Sequence, residues 1–284
     1  MNRFISTRPQ PALLHPGFAS GLEAALRVAR APAQHKLMQI GDMGGAKKPY
    51  ALIDGIAVIG VQGVLIDKLG WWGSDYVTGY DCLRWQIAAA HEDADVRGIV
   101  LDIDSCGGTV AGCFDLCDFA VDAKRQTGKP VVAILTENAF SAAMALASTA
   151  DSIAVPRTGG VGSIGVVTMH WDISGLLEKY GEKVTVIAAG AHKADGNPYG
   201  PLPEDVLARL SAEVEDLRQL FAATVVRNRA GAPNAPTLDG VLATEARTYS
   251  GPAELAEALQ LGLADAILAP ADAFAAFAAH VNAA

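Results

Sequence analysis

The stretch "GIVLDIDSCGGTVAGCFDLCDFAVDAKRQTGKPVVAILT", Gly98 to Thr136, decides the fold. Its first part, extended back to Arg97, is a short apolar run rich in β-branched residues, as a buried strand is. Two glycines follow, and then an amphipathic helix that stops before Lys129-Pro130, where proline and the residue preceding it disfavour further helix. "VVAILT" is a second buried strand. Strand, helix, strand in this order is a βαβ unit, which implies a parallel sheet and a right-handed crossover.

The same alternation extends outward. Upstream, "IAVIGVQGVLI" (56–66) reads as strand and "SDYVTGYDCLRWQIAAAHEDADV" (74–96) as a helix with Leu83, Ile87 and Ala90 on one face. Downstream come a helix from about Ser141, the strand "DSIAVP" (151–156), and the long amphipathic helix "PEDVLARLSAEVEDLRQLFAATVVRNRAG" (203–231). After these stand a helix that stops at Gly262, a short strand and an Ala-rich helical end. Residues 1–48 read as an arm holding one helix, "GLEAALRVAR" (21–30), and a Gly-Lys-rich joint. The expected division is an arm at 1–48, a main domain at 49–270 and an Ala-rich tail at 271–284.

Composition narrows the function classes. The chain has 284 residues and is 51% hydrophobic, enough for a substantial core. A net charge of -9 without a basic cluster argues against nucleic-acid binding. The basic start "MNRFISTRPQ" is not followed by an apolar core of signal-peptide length, and no uncharged apolar run is long enough to span a bilayer. The expectation is therefore a cytoplasmic protein without stable membrane insertion. Cys82, Cys106, Cys113 and Cys117 lack metal-site spacing and form no disulfide framework, so they read as small buried thiols in a reducing compartment. No metal and no cofactor is called for.

Three strand-to-helix transitions can carry chemistry. In "DIDSCGGTV" (102–110), Gly107 and Gly108 can present backbone N–H groups to an anion or oxyanion, or simply make a tight turn. In "ENAFSAAMALAS" (137–148), Ser141 heads a helix of small apolar residues. A serine there is an ordinary N-cap, or a nucleophile on a strand-to-helix turn with small neighbours that leave room for a substrate backbone. In "AAGAHKADGNPYGPL" (188–202), Lys193 lies beside His192 in a Gly- and Pro-rich loop. A serine nucleophile needs a base, and Lys193, His192 and His170 are the candidates.

Taken together, in order, these places resemble a known family. From about Ala57 to Leu268 the chain resembles the signal peptide peptidase A family of serine peptidases, and within it the phage prohead (capsid maturation) proteases. The family's "SPGG" turn stands here as "SCGG" (105–108), and its nucleophile segment as "FSAAMALASTAD" (140–151). Its "TGSLGV" stands as "GGVGSIGV" (159–166), and its lysine loop as "HKADGNPYGPL" (192–202). The resemblance implies an α/β fold, a Clp protease/crotonase-like repeated βαβ spiral with helical N- and C-terminal extensions.

It further implies a serine endopeptidase with Ser141 as nucleophile and Lys193 as general base. The oxyanion hole would be Gly107, Gly108 and the N–H of Ala142, and Ser163 would orient the lysine. The implied partners are a protein or peptide substrate, scaffold or capsid proteins in a phage and possibly the chain itself, and further copies in a homo-oligomeric ring. Cys106 replaces the usual proline and Asp104 a common asparagine. Cys106 sits on the oxyanion turn, away from the position of attack.

A lysine, ordinarily near pKa 10.4, serves as base at neutral pH only when its surroundings disfavour the ammonium. Asp195 should therefore point away from Lys193. Trp71 and Trp72 in "LGWWG" read as a substrate or subunit contact, or as a buried lid. Three other readings remain at this point: a bacterial enzyme that degrades signal peptides, a crotonase-like acyl-CoA enzyme, and an inactive structural prohead component.

Overall fold

A computed structural model describes residues 12–14, 48–69 and 76–283. The helix expected at 21–30 and the Trp71-Trp72 pair lie outside the described residues. In chain order the strands and helices begin with β1 (Ala12–Leu14), β2 (Ala51–Ile53), β3 (Ile56–Ile66), β4 (Val77–Gly79), α1 (Tyr80–Glu92) and β5 (Gly98–Thr109). Next come α2 (Cys113–Thr127), β6 (Val131–Phe140), α3 (Ala142–Ala147), β7 (Ser152–Val155), β8 (Gly160–Gly162) and α4 (Ser174–Lys179). The chain ends with α5 (Glu204–Asn228), α6 (Leu238–Leu242), β9 (Thr248–Ser250), α7 (Pro252–Gln260), β10 (Ala266–Ile267) and α8 (Pro270–Ala283).

The main sheet runs β10-β7-β6-β5-β3-β2 and is parallel from β10 to β3. Only β2 at its far edge is antiparallel to its neighbour on this path. The expected βαβ alternation is thus present: β3, α1, β5, α2, β6, α3, β7. Helices cover both faces, which explains why the first parts of β5 and β6, residues 98–101 and 131–135, are apolar without interruption. Ile99, Leu101 and Ile103 of β5 and Ala133 and Leu135 of β6 enter a core shared with α1, α2, α3, α5 and α7. The residues between them, Val100, Val132 and Ile134, face the other way and pack with Ala273, Phe274, Phe277 and Val281 of α8. Period-two alternation therefore feeds two cores.

The structure corrects the sequence expectation in two places. Within the stretch 74–96, read as helix, Val77–Gly79 is instead strand β4, paired in parallel with β3, and α1 starts only at Tyr80. β5 does not stop at Asp104; it continues through the glycines to Thr109. It can do so because β3 runs beside it to the end, pairing Val64 with Gly107 and Leu65 with Gly108 after a register shift. A Cβ on Gly108 would lie 1.8 Å from the Leu65 carbonyl oxygen, so only glycine permits that approach. α2 begins after Gly112 and ends at Gly128, both at positive φ. The Gly128 N–H bonds back to the Lys124 carbonyl.

The sheet is tied to α5 by a buried ion pair. Arg229, 1% exposed, donates to Asp265 Oδ1 at 2.5 Å and to the Gly262 carbonyl at 3.2 Å. The other carboxylate oxygen of Asp265 accepts the Ile153 N–H at 2.7 Å. Both charges are therefore met by hydrogen bonds, the condition under which a buried pair is tolerated.

Candidate active site

The site is built where parallel strands end. β6 and β8 pair in parallel register, Asn138 with Gly160, Ala139 with Val161 and Phe140 with Gly162. Each strand then delivers a serine: Ser141 one residue after Phe140 and Ser163 one residue after Gly162. The ladder is closed by the Ser141 N–H, which donates to the Gly162 carbonyl at 2.9 Å. The Ser163 N–H is held in turn by the Arg247 carbonyl at 3.0 Å. Both serines adopt φ 55°, a region that L residues avoid. Both are buried. Paired serines at the carboxyl ends of parallel strands lie where α/β folds bind ligands.

Ser141 is not a helix cap. Its φ/ψ of 55°/-121° differs from the extended backbone of an N-cap, and its side chain makes no capping bond to α3. Ser141 Oγ is fully buried and has no hydrogen-bond partner. An unpaired buried hydroxyl costs stability and is rare. Strained backbone together with an unsatisfied buried polar atom makes Ser141 a candidate for chemistry. All six residues of α3 are buried, four of them alanine, so the helix start sits deep in the fold close to β5.

The glycine turn supplies donors unequally. Ser105 Oγ donates to the Gly63 carbonyl at 2.6 Å and accepts the Gly107 N–H at 3.1 Å. Gly107, at φ 102°, thus has its N–H bonded to the Ser105 hydroxyl in this structure. The N–H of Ala142 opens α3, where amides lack intrahelical acceptors. Asp102 and Asp104 serve β6: Asp102 accepts from Thr136 Oγ1, and Asp104 accepts the Asn138 N–H at 3.3 Å. Burial pushes the Cys106 thiol up to about 11, which favours the thiol over the thiolate at neutral pH.

Lys193 is exposed and makes no hydrogen bond to Ser141 Oγ. Asp195 points elsewhere, as expected: its carboxylate binds Arg209 and accepts from His192 Nδ1 at 2.9 Å. His192 is thereby occupied and exposed. His170 Nε2 lies 3.2 Å from the Gly200 carbonyl. Neither histidine partners Ser141. The register that places Ser163 beside Ser141 is a relation that sequence spacing does not reveal.

Residues 123–284 match the profile of peptidase family S49. The chain belongs to peptidase family S49. Among phage relatives, this S49 chain is 36% identical over 244 residues to the head-tail preconnector protein GP5 of Enterobacteria phage P21. That alignment covers 84% of this chain and 46% of the relative. It is also 35% identical over 283 residues to the capsid assembly protease C of Escherichia phage lambda, covering 93% of this chain and 62% of that protein.

A cellular relative, protease 4 of Haemophilus influenzae, is 26% identical over 180 residues, with 63% of this chain and 28% of that protein covered. The S49 chain therefore spans between about half and three-fifths of the length of its phage relatives. The crystal structure of an enoyl-CoA hydratase/isomerase family member aligns over 82% of this chain and 74% of its own, with TM-score 0.42 and 17% identity. That likeness carries no argument about chemistry. No helix among the described residues is long and apolar enough to cross a membrane.

Proposed function

We propose that this S49 chain is a serine endopeptidase of the phage capsid-assembly type, acting on scaffold or capsid proteins inside the host cell. The observation that carries the reading is Ser141: buried, strained, unpaired, and set at the end of a parallel strand where a helix begins. Ser141 Oγ attacks the scissile carbonyl and its proton passes to Lys193 Nζ. The N–H groups of Gly108 and Ala142 receive the oxyanion, one such donor contributing about 3 to 4 kcal/mol to the transition state. The tetrahedral intermediate collapses, Lys193 returns the proton to the leaving amine, and water hydrolyses the acyl-enzyme in the reverse sense. Ser163, level with Ser141, orients the lysine.

This chemistry needs Lys193 to come to Ser141 and lose its proton. Assembly into a homo-oligomer supports that step. The segment leading to the lysine exposes Met169, Trp171, Tyr180, Val184, Val186 and Ile187, the last 92% exposed. Residues 183–188, "KVTVIA", are strand-like in sequence yet belong to no strand. An apolar surface of that kind is suited to a further copy of the chain, and covering it would dry the lysine's surroundings.

The test compares wild type, Ser141→Ala and Lys193→Ala, each mixed with a scaffold-type protein and followed by intact mass. Wild type should cleave, and each variant should lose at least about a thousandfold in rate. A fluorophosphonate should modify Ser141 in wild type and nothing in Ser141→Ala. Equal processing by all three chains would dismiss the dyad.

A further inference from the structure

β5 has two edges, and near its end they have different partners. Up to Ser105 it lies between β3 and β6, the last β6 pairing being Ser105 with Ala139. Beyond Ser105, β6 turns away through Ser141 into α3. β3 continues along the opposite edge, beside Gly107 and Gly108. The edge vacated by β6 is filled by β1, antiparallel: Ala12 beside Thr109, Leu13 beside Gly108 and Leu14 beside Gly107. A strand cannot pair twice on one edge, so β1 occupies the β6 side, the side of Ser141.

The register gives the position. Gly107 is two residues beyond Ser105 on β5, and Ser141 is two residues beyond Ala139 on β6. Leu14, beside Gly107, therefore stands at the level of the nucleophile. Because β1 is antiparallel to β5, its chain runs from Thr109 toward Ser105, with its carboxyl end leading toward Ser141. An extended peptide binding by strand addition to this edge would make the same main-chain contacts. An open edge beside a catalytic serine is a recognition surface for any unpaired strand.

We propose that the Gly107–Thr109 edge of β5 is the groove for the acyl side of the substrate, and that the chain's own Ala12–Leu14 is a tethered competitor seated in it. This rests on the peptidase reading of Ser141. Strand pairing is carried by main-chain groups, so the edge accepts the arm and a substrate on equal terms, and only one can be present. The arm lowers the fraction of chains competent to bind substrate and raises the apparent KM by the same factor. It leaves the rate of the bound complex alone.

The test uses the full chain with Leu13→Pro and, separately, Leu14→Pro. Successive N–H groups of a strand point to opposite sides, so one of the two prolines must delete a bond to β5. Cleavage of a reporter peptide should show KM lowered by about fivefold or more in that variant, with kcat unchanged. Fluorophosphonate phosphonylation of Ser141, with loss of fluoride, should accelerate in parallel, and amide exchange at Gly107–Thr109 should speed up. If Ser141 is phosphonylated at one rate, and KM is the same, with and without the prolines, the competitor is disproved while the peptidase stands. If no chain is phosphonylated or cleaves, with or without the prolines, the peptidase reading fails and the competitor falls with it.

Discussion

Ser141 combines two features that oppose stability, a φ of 55° and a buried hydroxyl with no partner. A capping serine would behave in the opposite way, since its removal costs about 1 kcal/mol. The two roles are therefore separable by thermodynamics without any substrate. Ser141→Gly removes the hydroxyl and relieves the backbone, and should stabilise the fold by about 1 to 2 kcal/mol while abolishing cleavage. Urea unfolding of the two chains measures this, and a loss of stability would restore the cap. From sequence alone Ser141 had both readings, because a cap and a nucleophile share residue type and position at a helix start. The distinction lies in ψ and in the absence of a bond, neither of which is written in residue order. Ser105 is a related case: its motif is visible, but its capture of the Gly107 N–H depends on the carbonyl of Gly63, 42 residues earlier.

At the scale of elements, α3 is too short to be stable by its own hydrogen bonds. It exists because it is enclosed, with Ala142, Ala143, Ala145 and Ala147 all 0% exposed among β5, β6, α2 and α5. Ala145→Leu adds three carbon atoms to a filled space and should destabilise the chain by about 2 to 3 kcal/mol, read as a shift in the urea midpoint. An unchanged midpoint would mean that the space beside α3 is open. The alternation of strand and helix was legible from apolar period and from breakers such as Lys129-Pro130. The length of β5 was not. Glycines ordinarily end strands, and here they extend one, because β3 lies so close that a side chain at Gly108 would meet its backbone. The arm strand β1 was equally hidden: "ALL" between prolines carries no periodic signal, and its partner is almost a hundred residues away.

Across the whole molecule, His91 joins α1 to the end of α2 and gives the fold a dependence on pH. Its Nδ1 lies 2.7 Å from Thr127 Oγ1. Burial first, then Lys129 and Lys124, lowers its pKa from 6.5 to about 4. Lys129 Nζ already binds the Ala90 and Asp93 carbonyls at the end of α1, at 3.1 and 2.6 Å, so a second cation there is unwelcome. Between these two pKa values the unfolded chain carries a proton that the folded chain refuses, so acidification through that window favours unfolding. Lowering the pH from 7 to 5 should cost about 1 to 2 kcal/mol through this group. Urea titrations at both pH values should show that part of the loss missing in His91→Gln. Identical pH slopes in the two chains would refute it.

Residue order alone determined the βαβ class, the places where strands give way to helices, and the serine, glycine and lysine segments, because apolar period, breakers and motif spacing are local properties. Tertiary structure decided which of these meet. It set Ser141 level with Ser163, engaged Gly107, turned Asp195 to Arg209, left Lys193 on the surface of the single chain and laid Ala12–Leu14 along β5. Those relations follow from strand register and from what fills each edge of the sheet, and both are fixed only when distant segments pack together.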